Sequence, residues 1–181
     1  LSLPISGSLR AVRSAIVKAR VPGELLGLSV REGDRVQAGQ VIARVESTEY
    51  DERMRQAQRQ AEAAQAQVAI AQRQYDNNRA LVDQGFISRT ALDASAASLD
   101  AARATARAAQ AGTEVARKSV NDTVLKAPIS GQIAQRLAQP GERVAPDTRI
   151  VEIVDPSQLE LEATLSPADS VAVRVGQNAR L

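Results

Sequence analysis

The chain has 181 residues and a formal net charge of +2, from 23 Lys and Arg against 21 Asp and Glu. It contains one Phe, two Tyr and no Trp, Cys or His. Aromatic rings supply much of the buried area of a thick core, so this composition argues against a single large globule. Without Cys or His there can be no Cys/His zinc site, thiol nucleophile or imidazole base. The carboxylate pairs Asp51 with Glu52 and Glu160 with Glu162 fall on predicted exposed faces, so no catalytic residue, metal or cofactor is expected. Basic residues interleave with acidic ones and lack aromatic stacking partners, which argues against a nucleic-acid partner. No apolar run approaches the ~20 residues of a membrane span. The chain opens at Leu1 without a leader-like segment, so it is expected to be a mature form or a piece of a longer protein.

Residues 1–47 are rich in Val, Leu, Ile and Gly with turn residues every few positions, which predicts short strands. Residues 48–122 contain no Pro and hold 20 Ala among 75 positions. Met54, Ala57, Ala61, Ala64, Val68, Ala71, Tyr75, Asn78 and Val82 are spaced alternately by three and four residues, and Leu92 to Val120 repeat that spacing. Such a seam winds two helices into a left-handed coiled coil. Gly85 is placed to end the first helix in the left-handed conformation, Ser88 to cap the second, and Thr48 with Asp51 to cap the first. Two helices of this length form an antiparallel hairpin about 50 Å long. Asn78, Ser95 and Thr113 interrupt the seam, and Ala buries little area, so lateral support from neighbouring copies is expected. Residues 123–181 return to alternating Val, Ile and Leu, punctuated by five prolines.

The two strand-rich flanks are copies of one another. At an offset of 108 residues Gly23 falls on Gly131, Leu25 on Ile133, Gly33 on Gly141 and Asp34 on Glu142. Arg35 falls on Arg143, Val36 on Val144, Ile42 on Ile150 and Val45 on Ile153. Each copy reads strand, glycine turn, short strand, turn, strand, and the pair is expected to pack as one small β-sandwich.

Val21-Pro22-Gly23 with Val30 to Ala43, and Leu125 to Gly131 with Pro140 to Val144, resemble the two halves of a biotinyl/lipoyl domain. A lipoyl-like domain split by a helical hairpin resembles the periplasmic adaptor, or membrane fusion protein, family of bacterial tripartite efflux and secretion systems. The resemblance implies an α+β fold: a lipoyl-like β-sandwich split by a long antiparallel coiled-coil hairpin, plus part of a β-barrel domain. The expected divisions are 1–12 as a partial barrel strand, 13–47 and 123–155 as the lipoyl-like halves, 48–122 as the hairpin, and 156–181 as the start of the barrel. Ser166-Pro167-Ala168-Asp169 is expected to open a short helix.

The resemblance also implies a non-enzymatic role in the periplasm, associated with the inner membrane through parts outside this chain. The implied partners are an inner-membrane transporter, favoured as the resistance-nodulation-division type, an outer-membrane channel, and further copies in a ring, commonly of six. An exporter driven by ATP hydrolysis or a type I secretion exporter is the alternative. A lipoyl or biotinyl carrier would need an acceptor Lys at the turn joining the halves, where Val45-Glu46-Ser47-Thr48 stands instead. A free coiled-coil scaffold would leave the 108-residue repeat unexplained. In the efflux adaptors an Arg, a Leu four residues on and a Ser seven further contact the channel. Leu81 and Ser88 match this motif, Asn77 occupies the Arg position, and Arg79 is the nearest guanidinium. Leu81, Ser88 and Arg79 are the candidate contact residues.

Overall fold

The structure, a computed structural model, describes residues 7–164 and 174–176. The strands before the helices are β1 (Gly7–Lys18), β2 (Gly23–Leu28), β3 (Arg35–Val36) and β4 (Val41–Val45). The helices are α1 (Thr48–Asp83) and α2 (Arg89–Asp122), followed by β5 (Val124–Lys126), β6 (Gly131–Arg136), β7 (Arg143–Val144) and β8 (Arg149–Ala163). The described strands form two four-stranded antiparallel sheets, ordered β1-β8-β6-β3 and β5-β4-β2-β7. This is the split sandwich with a helical hairpin that the repeat and the heptads predict.

The repeat is realised as a pseudo-dyad, because each half completes the other. Glu24 pairs with Arg143 across β2 and β7, and Arg35 pairs with Gln132 across β3 and β6, the same contact shifted by the repeat. The Gly33 amide donates to the Ile133 carbonyl at 2.9 Å, and the Gly141 amide donates to the Leu25 carbonyl at 2.7 Å. The turns match as well: the Arg31 amide donates to the Asp34 carboxylate at 2.7 Å, and the Gln139 amide to the Glu142 carboxylate at 3.1 Å. Leu25, Ile42, Val45, Ile133, Ile150 and Ile153 meet in the shared core, all fully buried. Neither half has a second apolar layer of its own, so neither can bury its strands alone.

Two glycine positions of the repeat are set by close approach. A Cβ on Gly23 would lie 2.5 Å from Val45 Cγ1, and one on Gly131 would collide with the Val154 carbonyl oxygen. At the other turn Gly39 has φ +85°, while its repeat partner Asp147 has φ +67° and is the one non-glycine residue with positive φ among the described residues.

β1 and β8 run on past the sandwich as a two-stranded ribbon. Their ladder is irregular between Ala11 and Arg13, opposite Pro156, where proline lacks the amide a ladder needs. Beyond it Leu9 pairs with Leu161 and Ala11 with Leu159 on one face, and the three leucines are largely exposed. The other face carries Arg10 and Glu162, paired at 3.8 Å. The helix expected to open at Ser166 lies outside the described residues, as do residues 1–6 of the expected first barrel strand.

The hairpin seam is the predicted one. Every one of the 18 heptad positions is partly or fully buried, with Ala71, Ser95, Leu99, Ala106 and Thr113 the most enclosed. The polar interruptions are satisfied within their own helix: Ser95 Oγ donates to the Leu92 carbonyl at 2.7 Å and Thr113 Oγ1 to the Ala109 carbonyl at 3.3 Å. The first helix starts differently from the expectation on Thr48 and Asp51. Ser47 occupies the cap position without a side-chain cap bond. Its hydroxyl donates instead to Asp51 at 2.9 Å, and Glu46 accepts the Thr48 amide at 2.8 Å. A carboxylate one residue further back thus takes over an orphan amide.

Gly112 does not interrupt α2, although glycine weakens a helix interior, and a Cβ there would meet nothing within 4 Å. Gly112→Ala should therefore stabilise the chain by about 0.5–1 kcal/mol. Thermal or denaturant unfolding checks this, and a lowered midpoint would reveal a contact that glycine protects.

Candidate functional site

The far end of the hairpin is a rigid turn. The Gly85 amide donates to the Val82 carbonyl and the Phe86 amide to the Leu81 carbonyl, both at 2.9 Å, with Gly85 at φ +77°. These paired bonds define a Schellman motif, which only a residue tolerant of the left-handed region can close. Three residues on, Ser88 is the cap of α2, its Oγ accepting the Ala91 amide at 3.3 Å. The structure thus brings Leu81 and Ser88 to the same end of the hairpin. Arg79 is exposed in the last turns of α1, makes no ion pair among the described residues, and lies two residues on from exposed Asn77, on a different face of the helix.

Phe86, which the sequence reading did not single out, is the dominant feature of the tip. The chain's one phenylalanine is 73% exposed, beside Leu81 at 39%. The Schellman turn fixes its backbone in this outward position, so the exposure is built in. An aromatic residue directly after a helix-ending glycine, in a chain otherwise nearly devoid of rings, was the available signal.

The near end of the hairpin is anchored by a buried carboxylate. Asp122, the last residue of α2, receives Lys118 Nζ at 2.5 Å and Arg20 Nη1 at 3.3 Å, the latter from the loop after β1. Burial pushes the Asp122 carboxyl up, but the hydrogen bonds and charges of Lys118 and Arg20 outweigh it and hold the group below its ordinary value. Tyr50 Oη donates to the Pro22 carbonyl at 2.7 Å, and the Val45 amide to the Thr123 carbonyl at 2.8 Å. Between the ends, Arg103 reaches Gln72 across the helices at 2.8 Å.

A lowered folded-state pKa makes Asp122 stabilising above its unfolded value, and that contribution is lost as pH falls through the folded one. Wild-type stability should therefore drop on acidification below about pH 4, the ordinary Asp range. In Asp122→Asn the slope over that window should be shallower. Urea midpoints measured at several pH values check this, and parallel profiles would mean that the pairing contributes nothing net.

Among the described residues no three acidic side chains gather to hold a metal, and no described helix is long and apolar enough to cross a membrane. Lys126 lies within β5, away from the junction where a carrier would hold its cofactor.

A dyad-related sandwich opened by a helical hairpin defines the molecule as a barrel-sandwich hybrid with a coiled-coil insertion. The family model for the CzcB-like barrel-sandwich hybrid domain matches residues 13–155, and the chain belongs to that family. It is 28% identical over 175 residues to the multidrug resistance protein MdtA of Escherichia coli strain UMN026, covering 96% of this chain and 42% of that protein. A putative efflux transporter from Bacteroides eggerthii is 29% identical in its crystal structure, with a TM-score of 0.50, covering 93% of this chain and 47% of that one. MacA from Actinobacillus actinomycetemcomitans shares the fold at 24% identity, with a TM-score of 0.69, covering 96% of this chain and 59% of that one. The chain thus spans less than half the length of the curated relatives it matches.

Proposed function

We propose that this chain is the hairpin-bearing centre of a periplasmic adaptor that links an inner-membrane transporter to an outer-membrane channel in a tripartite export pump. One observation carries the reading: a hairpin about 50 Å long holds exposed Leu81 and Phe86 on a rigid turn, far from a sandwich whose core needs no helix residue. A projecting, pre-organised apolar tip suits docking rather than chemistry. The names of two relatives, a multidrug resistance protein at 28% identity and a putative efflux transporter at 29%, support an export role. In this reading the transporter is of the resistance-nodulation-division type, which the family resemblance favours.

In this reading residues 13–47 and 123–155 are the lipoyl-like halves and 48–122 the docking hairpin. Residues 1–12 and 156–181 begin a barrel, whose interior the exposed leucine face of the β1–β8 ribbon would line. Leu81 and Ser88 contact the channel, with Arg79 supplying the cation that Asn77 does not. Copies of the full protein assemble in a ring, commonly of six, associated with the inner membrane through segments outside this chain, and the work is mechanical rather than catalytic.

A photo-crosslinking residue at Leu81 or Ser88 of the full-length protein, expressed in its own cells, tests the proposal. Adducts with an outer-membrane channel are expected from the tip and not from Arg143 in the sandwich. Adducts confined to other copies of the adaptor would overturn the docking assignment.

A further inference from the structure

Only three of the 23 basic residues are lysines, and all three, Lys18, Lys118 and Lys126, line one groove. The groove has a volume of about 1080 Å³ and runs between β1, β5 and the last turn of α2. Each of these strands pairs on one side only, β1 with β8 and β5 with β4. Arg20 and Arg44 also line it, against two acids, Asp122 and Asp147. Asp122 is already engaged by Arg20 and Lys118. Lys18, Arg44 and Lys126 are left exposed, with no ion-pair partner among the described residues.

The placement follows the pseudo-dyad. Lys18 and Lys126 occupy the same position of the 108-residue repeat, each ending the edge strand of its sheet. Like charges gathered in a concavity repel one another and raise the local potential, so this arrangement opposes folding. A lysine is a compact point charge with three rotatable donors, suited to oxyanions approached from several directions, whereas arginine imposes a planar fork. The buried Asp122 fixes two of the five cations in place while leaving a positive excess on the wall.

We propose that this groove binds a soluble oxyanion carrying several negative charges, of the polyphosphate class. It is remote from the hairpin tip, and the proposal does not depend on the docking role. The room available suits an extended anion more than a single phosphate.

Titration calorimetry of this chain with tripolyphosphate tests the site. Saturable binding near one equivalent is expected, weakening steeply between about 50 and about 300 mM salt because the charges are solvent-exposed. Inorganic phosphate should bind far more weakly. Lys18→Gln with Lys126→Gln should lower the affinity at least about tenfold, since each removes a direct charge-assisted contact. Arg59→Gln with Arg89→Gln removes the same net charge from the hairpin and should leave affinity within about twofold. Circular dichroism establishes that both double variants are folded. No saturable heat with the wild type, unchanged affinity in the lysine variant, or equal weakening in the arginine control would each overturn the proposal, the last by reducing binding to net charge.

Discussion

Replacing residues 47–121 by Asn-Gly should leave a soluble β-sandwich that unfolds in one cooperative transition. The buried core cluster is drawn wholly from residues 17–45 and 125–153, and Tyr50 is the one helix residue packed against it. The two halves are also already joined where the helices leave. Arg44 pairs with Val124 across β4 and β5, and the Val45 amide donates to the Thr123 carbonyl at 2.8 Å. An Asn-Gly turn has the left-handed residues that a two-residue β-hairpin connection requires, so β4 and β5 can close without strain. Shortening the connection by over 70 residues also lowers the entropy of closing the loop. The losses are the Lys118 contact to Asp122 and the Tyr50 bond to Pro22, both at the periphery, and the bonds from the buried Thr123 amide and hydroxyl to the Val120 carbonyl, whose two donors must pair anew beside the new turn. Denaturant titration with two probes checks the outcome. A chain without a cooperative transition would mean that the hairpin holds the halves together, and that the pseudo-dyad contacts do not suffice.

The features that repeat along the chain were legible in the sequence, and those that depend on one contact across it were not. The heptads exposed the seam because helical geometry turns a spacing of three and four into one face, and no partner had to be known. The 108-residue offset exposed the sandwich for the same reason. The offset alone did not disclose that each half's glycine turn bonds to the opposite half, since Gly33 to Ile133 spans 100 residues. The Asp122 anchor was equally hidden: Arg20 lies 102 residues away in sequence, and only the closed sandwich brings it to the end of α2. The first helix cap was misplaced because Ser, Thr and Asp all compete within Ser47-Thr48-Glu49-Tyr50-Asp51, and Glu46 settled the contest from outside the usual pattern. Phe86 escaped because an apolar residue in a short turn ordinarily folds back on its own helix, as the Schellman contact allows. Here it stays exposed.

On the docking role proposed for the tip, Ser88→Arg should abolish transport in the full-length protein while leaving its abundance unchanged. The substitution removes the acceptor for the Ala91 amide at 3.3 Å, and loss of such a cap costs about 0.5–2 kcal/mol. The amide is exposed at the hairpin end, where water replaces the hydroxyl, so the lower part of that range applies. The long seam between α1 and α2 and the separate sandwich core are untouched, and Ser88 is itself exposed. Folding should therefore survive. Docking is another matter, because a guanidinium buried in an interface without a partner leaves an uncompensated charge. The new cation would stand beside Arg89 and near exposed Phe86, and in a ring every tip would carry it. Immunoblotting should find wild-type levels and normal membrane association, with drug resistance lost and cross-links from Leu81 to the channel gone. Ser88→Thr, which keeps an accepting hydroxyl, should retain both. Wild-type resistance in Ser88→Arg at normal abundance would remove Ser88 from the docking surface and leave it the helix cap alone.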